Sequence, residues 1–324
     1  MIRPASESAL MDWTQERILV TGASGFLGSR LIRRLVDLGA RVEAWASSPA
    51  HLWRLADIRD RIALSLVDIR DADRVRAACG ALQPNLVYHL AAYGVHAEEQ
   101  EYVQAVDVNV RGTVNLLEGL KGTPCRLVVT TGTWAEYGGK DHPIRESDPL
   151  EPVGVYGATK AASTLVAVSL AAQRRLPLIV LRPFSVYGPG EGGGKFVPSI
   201  IRACLKGENP RLSSCRQIRD YLFIDDMVEA YVKAAGLTVS APLVLNVASG
   251  VPLRLEDFAR RILRHFPGKR PEFGAVPDRQ GEIWNVQADI TKAKAIMQWQ
   301  PSWSLEEGIR TTIEWFKSQE GHVH

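Results

Sequence analysis

The chain has 324 residues, 46% of them hydrophobic and 23% charged, with a formal net charge of +3. That length exceeds one minimal domain and suits two units sharing a core, and the composition is that of an ordinary globular protein. The small, scattered positive charge gives no footprint for nucleic acid, and no stretch reads as the roughly 20 apolar residues that span a bilayer.

Residues 1–14 read as a loose N-terminal extension, without the charged-then-apolar layout of a secretion signal. The apolar run at 17–20 reads as a buried strand, and helical spacing at 29–36 follows it. Between them lies Thr21-Gly22-Ala23-Ser24-Gly25-Phe26-Leu27-Gly28. Strand, glycine turn and helix form a phosphate-binding element, in which the backbone approaches a pyrophosphate at the positive helix N-terminus. The spacing is Gly-x-x-Gly-x-x-Gly, so Gly22, Ser24, Gly25, Phe26, Leu27 and Gly28 are expected to hold a dinucleotide. A second strand at 41–46 ends in Ser47 and Ser48, with His51 and Arg54 beyond. An acid at that point would select NAD through the ribose hydroxyls. Small hydroxyl residues and a nearby cation favour the phosphate of NADP(H), with NAD(H) the alternative.

A third strand at 62–69 brings Asp68 and Ile69 toward the adenine, and a short helix at 71–79 follows. The nearly all-apolar run 85–92 reads as a strand covered on both faces, delivering Ala91, Ala92 and Tyr93 beside the cofactor. His89 and His96 raise the question of a metal, but a histidine inside an apolar strand reads as a core residue. No metal site is expected. Cys79, Cys125, Cys204 and Cys215 lie far apart, with no Cys-x-x-Cys pair, and read as reduced thiols of a cytoplasmic protein. A helix at 98–120 precedes a fifth strand at 126–131. A polar loop at 139–153 leads to a long Ala-rich helix, and strand six covers 178–182. Alternating strands and helices predict a parallel, doubly wound α/β sheet. Beyond Pro183, a glycine-rich loop and helices near 196–206, 225–236, 255–266 and 304–318 suit a smaller α/β cap closing over the strand ends.

Tyr156 and Lys160, four apart on the long helix, share one face. An ammonium beside a phenol favours the phenolate, and a phenol so tuned exchanges a proton with a sugar hydroxyl or ketone. Thr133, from the neighbouring strand end, is placed to bond the same oxygen. Asp225 and Asp226 read as caps of the helix that follows them.

These residues give the chain a family resemblance. With Thr-Gly-Ala-Ser-Gly-Phe-Leu-Gly (21–28), His-Leu-Ala-Ala (89–92), Asn109, Thr-Trp-Ala-Glu-Tyr-Gly (133–138), Tyr-Gly-Ala-Thr-Lys (156–160) and Leu-Arg-Pro-Phe-Ser-Val-Tyr-Gly-Pro-Gly (181–190), it resembles the extended short-chain dehydrogenase/reductases. The nucleotide-sugar epimerases and 4-ketoreductases are the nearest type. The resemblance implies a Rossmann domain over 15–182 and a nucleotide-sugar-binding domain over 183–324, with the chain free to cross between them. It implies catalysis by Thr133, Tyr156 and Lys160. Asn109, Lys160 and Pro183 join the cofactor set; Trp134, Ala135, Ser185, Lys195, Phe196 and Val197 face substrate. Arg219 and Arg279 match arginines that bind the nucleotide diphosphate, and two guanidinium groups on a pyrophosphate make physical sense. Residues 196–218, with Arg211, Cys215, Arg216 and Gln217 among them, cover the base.

Dehydratases of this type carry an Asp-Glu pair directly after the catalytic threonine. Trp134 and Ala135 stand there, which disfavours 4,6-dehydration. The expectation is an NADPH-dependent 4-ketoreductase acting on a 4-keto-6-deoxy nucleotide sugar, with an NAD-dependent 4-epimerase as the alternative and an idle NADP sensor as the outside one. The resemblance also implies a homodimer through a four-helix bundle built on helices 98–120 and 157–175, with Leu116, Leu117, Leu165, Val166 and Leu170 as apolar residues.

Overall fold

The computed structural model describes residues 2–3, 11–95, 99, 101–192 and 194–320. In chain order the strands are β1 (Ile2–Arg3), β2 (Arg17–Thr21), β3 (Arg41–Ala46), β4 (Ala63–Leu66), β5 (Leu86–His89), β6 (Leu127–Thr131), β7 (Leu178–Pro183), β8 (Ser185–Tyr187), β9 (Ile218–Phe223), β10 (Thr238–Val239), β11 (Leu243–Val247) and β12 (Pro252–Arg254). The helices are α1 (Phe26–Asp37), α2 (Ala72–Leu82), α3 (Tyr102–Ala105), α4 (Gly112–Gly119), α5 (Gly154–Arg174), α6 (Phe196–Leu205), α7 (Ile224–Ala235), α8 (Leu255–Leu263), α9 (Thr291–Met297) and α10 (Leu305–Glu320).

Seven strands form one parallel sheet in the order β11-β7-β6-β5-β2-β3-β4. β5 is buried along its whole length, as a strand with helices on both faces must be. The order reverses between β2 and β5, and the crevice outside their carboxyl ends is where an open α/β sheet takes its ligand. The expected doubly wound sheet is therefore present. The cap holds a three-stranded sheet, β12-β9-β8, with α6, α8 and α10 around the buried side chains of Ile200, Phe258 and Ile309.

The chain does cross between the two units after residue 182: β11 extends the large sheet beside β7, and Met227, Tyr231, Leu245 and Trp299 belong to its core. Several expectations need correction. The described part of the N-terminal extension is anchored, since β1 pairs with β10 and Asp12 caps a short turn at Trp13–Gln15. After β3 comes a long 3-10 helix, Pro49–Arg61, that the sequence reading did not assign. Asp225 and Asp226 do not cap α7, whose N-cap is Phe223. Asp225 instead pairs with Arg30 at 2.8 Å, and Asp226 accepts from Ser302 N at 2.8 Å and Trp303 N at 3.2 Å, tying the C-terminal segment to the core. α5, at 21 residues, is long and apolar enough to cross a membrane, contrary to expectation, yet half of its apolar window is buried inside the fold.

His89 is a core residue, as expected; His96 lies outside the described residues. The His89 ring is 3% exposed, with Nδ1 2.7 Å from Thr21 Oγ1 and Nε2 3.0 Å from Thr113 Oγ1. Burial, helped by the Lys160 charge, pushes its pKa down to about 3. A base whose folded pKa lies below its unfolded one binds a proton on unfolding in the window between them, so stability falls as pH drops below about 6.5. Denaturant titrations should show the wild type losing up to ~1.4 kcal/mol per pH unit more than His89→Gln below that pH; equal slopes would contradict it.

Candidate active site

The glycine turn joins β2 to α1 at the sheet's switch point. Gly22 has φ +68°, and a Cβ there would stand 2.6 Å from the backbone nitrogen of Ala91, so this position requires glycine twice over. Gly28 packs against the Gly22 carbonyl. Gly25 is exposed and is the N-cap of α1, with no side chain bonding the first turn of the helix. The free N–H groups of that first turn, and the absence of Cβ atoms beneath them, fit a dinucleotide pyrophosphate.

The remaining cofactor positions divide. Ala91, Ala92 and Tyr93 are half-buried at the end of β5, and Pro183 is buried at the end of β7. Ser47 is exposed and Ser48 half-buried after β3. Arg54 turns back onto the glycine turn, donating to Ser24 O at 3.2 Å and to Gly190 O at 3.1 Å. Two of its donors are thereby committed to backbone. Asp68 is held by Arg70, at 2.6 Å between Oδ2 and Nη2. Two expected contacts are corrected. Ile69 is buried against Gly112, where an added Cβ would meet it at 2.6 Å. Asn109 is 1% exposed and cannot touch a ligand with its side chain. It accepts from Tyr93 N at 2.8 Å and donates to Tyr93 O and Thr159 Oγ1, both at 2.9 Å, so it clamps the loop after β5 onto α5. It does so from a π-helical turn, Val106–Arg111, that interrupts the helix expected over 98–120.

Thr133, Tyr156 and Lys160 come together as expected. The Thr133 side chain stands beside the Tyr156 phenol, and Gly94 lies close to the Tyr156 ring. Lys160 is buried one turn further along α5. The electrostatics differ from the sequence reading. Burial pushes the Tyr156 phenol up to about 12, and the carboxylates of Glu136 and Glu99 push in the same direction, with Thr133 opposing them. Burial pushes Lys160 down, against the pull of Glu136. Burial and the two acids thus favour the protonated phenol, the reverse of the direction expected from Lys160 alone.

Trp134 and Ala135 are half-buried on a 3-10 turn, Trp134–Glu136, that directly follows Thr133. Arg219 lies with its guanidinium 5.7 Å from the Trp134 ring and pairs with Glu282 at 2.6 Å. Arg279 is exposed, three residues before Glu282, the group from its loop that meets Arg219. Lys195 donates to the Val95 carbonyl, bridging cap and sheet domain. Phe196 packs near Tyr221, Ser185 is half-buried, and Val197, at 1% exposure, belongs to the cap core and not to a ligand surface.

The sequence reading missed what stands behind Thr133. Glu136 and Arg182 form a buried ion pair there, at 2.7 Å. The signal for Glu136 was the Thr-x-x-Glu spacing, which the structure realises as a capping box.

The NAD dependent epimerase/dehydratase family matches residues 18–248. The UDP-glucose 4-epimerase of Mycolicibacterium smegmatis is 31% identical over 316 residues, covering 94% of this chain and 99% of that protein. The structure of UDP-glucose 4-epimerase from Thermotoga maritima with UDP-glucose has 26% identity and a TM-score of 0.85, covering 94% of this chain and 99% of the other. MoeE5 in complex with UDP-glucuronic acid and NAD is 28% identical, with a TM-score of 0.81 and coverage of 93% and 99%. The glycine turn, the Thr133–Tyr156–Lys160 cluster and these full-length matches agree: the chain belongs to the NAD-dependent epimerase/dehydratase family.

Proposed function

We propose that this protein is an NAD-dependent nucleotide-sugar 4-epimerase. The observation that carries the reading is Thr133, Tyr156 and Lys160 on a wall whose next two positions are Trp134 and Ala135, neither of them a proton carrier. Tyr156, in its phenolate form, is then the group that takes the proton of the C4 hydroxyl and gives it back. The bound dinucleotide supplies the hydride acceptor and donor. The relatives favour this over a single reduction: the proteins from M. smegmatis and T. maritima are UDP-glucose 4-epimerases, and MoeE5 holds NAD. Arg54, with two donors spent on carbonyls, is a weak partner for a 2′-phosphate.

A second reading, the NADPH-dependent 4-ketoreductase, is kept by Ser47 and Ser48, which leave no acid after β3. The deciding experiment denatures the purified protein and identifies the dinucleotide released. The native protein is then incubated with UDP- and dTDP-hexoses and followed by NMR. Released NAD and a C4 epimer formed without net cofactor consumption are expected. An empty protein that oxidises NADPH with a 4-keto-6-deoxy nucleotide sugar would replace the epimerase by the reductase.

Arg219 is assigned to the substrate diphosphate, to which a guanidinium donates two parallel bonds. Arg219→Ala should raise KM for the nucleotide sugar about tenfold or more, with kcat and dinucleotide affinity nearly unchanged. An unchanged KM would remove the assignment. The same reading includes a homodimer. Tyr102, Val103, Val106 and Leu165 expose apolar side chains along α3, the π turn and α5, while Leu116 and Leu117 face inward. Light scattering should give twice the chain mass, and Leu165→Glu should lower it.

A further inference from the structure

We propose that Glu136 and Arg182 are a buried positioning pair for the reaction: they fix the Thr133 backbone and hold a negative charge behind Tyr156 and Lys160. The inference rests on the proton-transfer role given to Tyr156, whichever of the two reactions the enzyme runs.

Glu136 is 0% exposed and Arg182 4%. Glu136 Oε1 accepts from the Thr133 backbone N–H at 2.9 Å and from Thr164 Oγ1 at 3.0 Å. Thr164 lies one turn past Lys160 on α5, so a single carboxylate oxygen ties the Thr133 turn to the helix bearing Tyr156. Oε2 accepts from Arg182 Nε at 2.8 Å and Nη2 at 2.7 Å. Arg182 Nη1 donates to the Tyr137 hydroxyl at 2.6 Å, which donates to Asn246 Oδ1 at 2.8 Å. The anchor therefore runs from β6 through β7 to β11. The strand end is shaped around it: a Cβ on Gly132 would stand 2.6 Å from Glu136 Oε1 and 2.8 Å from Arg182 Cγ.

Stability alone is a poor account of such a pair. Two ions taken out of water repay their desolvation only in part, and apolar side chains of similar volume commonly serve a core as well. What apolar side chains cannot supply is an acceptor for the Thr133 N–H and a fixed charge beside the phenol. Facing Tyr156 are Lys160 on its own helix, Thr133 and Glu136 on the turn after β6, Glu99 before α3, and Tyr231 from α7. Of these, Glu136 acts on both Tyr156 and Lys160, in each case toward the protonated form, while burial pushes Glu136 itself up against the pull of Arg182.

Two double variants separate the acceptor from the charge. E136Q/R182M keeps a carbonyl for Thr133 and Thr164 but removes both ions. E136M/R182M removes the acceptor as well. In the dinucleotide-loaded enzyme carrying 13Cζ-tyrosine, with Tyr156→Phe assigning the signal, the Tyr156 titration midpoint of E136Q/R182M should fall by about one pH unit. The kcat limb should move with it. E136M/R182M should in addition lose about tenfold or more in kcat, with KM and dinucleotide Kd within about twofold of the wild type. An unmoved midpoint, or a kcat in E136M/R182M within twofold of the wild type, overturns the proposal. The titration needs no turnover, so it decides the matter even if E136M/R182M does not fold or the sugar substrate has been misassigned.

Discussion

Tyr156→Phe should lower kcat by about a hundredfold to ten-thousandfold, the usual contribution of a positioned acid or base, while dinucleotide affinity stays within about twofold. The reason for the split is geometric. The ring itself packs against the Gly94 backbone, 3.4 Å from a Cβ built there, and a phenylalanine ring keeps that contact. The hydroxyl stands beside Thr133, whose own oxygen still accepts from Ala135 N at 3.2 Å when the phenol is gone. Nothing that shapes the glycine turn depends on the lost oxygen. Thr133→Ala removes the phenol's neighbour together with the acceptor for Ala135 N, and should cost less, about tenfold. Steady-state kinetics with a dinucleotide titration by fluorescence checks both. A Tyr156→Phe protein that binds dinucleotide poorly, or turns over at the wild-type rate, would displace Tyr156 from the centre of the chemistry.

How much of this was legible depended on how local each cause is. The Gly-x-x-Gly-x-x-Gly turn, the apolar β5 and the Tyr156–Lys160 spacing are short-range patterns, and the structure realises each of them. Strand period and helix period together also gave the parallel sheet, because buried parallel strands read as continuous apolar runs. What stayed hidden came from contacts distant in sequence. That β11 returns to the large sheet, 60 residues beyond β7, is decided by pairing such as Leu245 with Leu181, which no local pattern encodes. Arg219 was singled out by its motif, but its pairing with Glu282 depends on how one loop folds over another.

The electrostatic misreading has the same root. From sequence, Lys160 is the charge nearest Tyr156, so the phenol is expected to be acidic. The fold brings Glu136 and Glu99 against it and removes water from around it, and these reverse the direction. Asn109 is a parallel case, since motif position suggested contact with cofactor while its burial makes it a clamp on the Tyr93 backbone. Motifs locate a site well; the sign of a perturbation depends on every group packed around it.

Gly28→Ala should cost the protein its dinucleotide, raising Kd by about a hundredfold or more, and lower the melting temperature by roughly 5–10 °C. Gly28 has ordinary helical backbone geometry, so alanine would be tolerated on conformational grounds alone. The obstacle is space. Its Cβ would stand 2.2 Å from the Gly22 carbonyl oxygen, 3.0 Å from that carbonyl carbon and 3.2 Å from Ala23 Cα. All three are backbone atoms, so no side chain can rotate to relieve the clash. Gly22 cannot retreat either, because its own surroundings include the Ala91 backbone at 2.6 Å from a built Cβ. The turn is wedged between α1 and β5, and a methyl group must push the start of α1 outward. That displaces the N–H groups of the first helical turn, which are the groups assigned to the pyrophosphate. Gly25→Ala is the informative contrast. Its Cβ would meet the Gly22 oxygen at 3.1 Å on an exposed face, a contact that small shifts relieve. It should leave the melting temperature within about 2 °C of the wild type while still weakening the dinucleotide, because the methyl group occupies the surface a phosphate approaches. Thermal melts of the two variants with and without dinucleotide separate the cases. If Gly28→Ala binds as tightly as the wild type, the turn is not where the pyrophosphate sits.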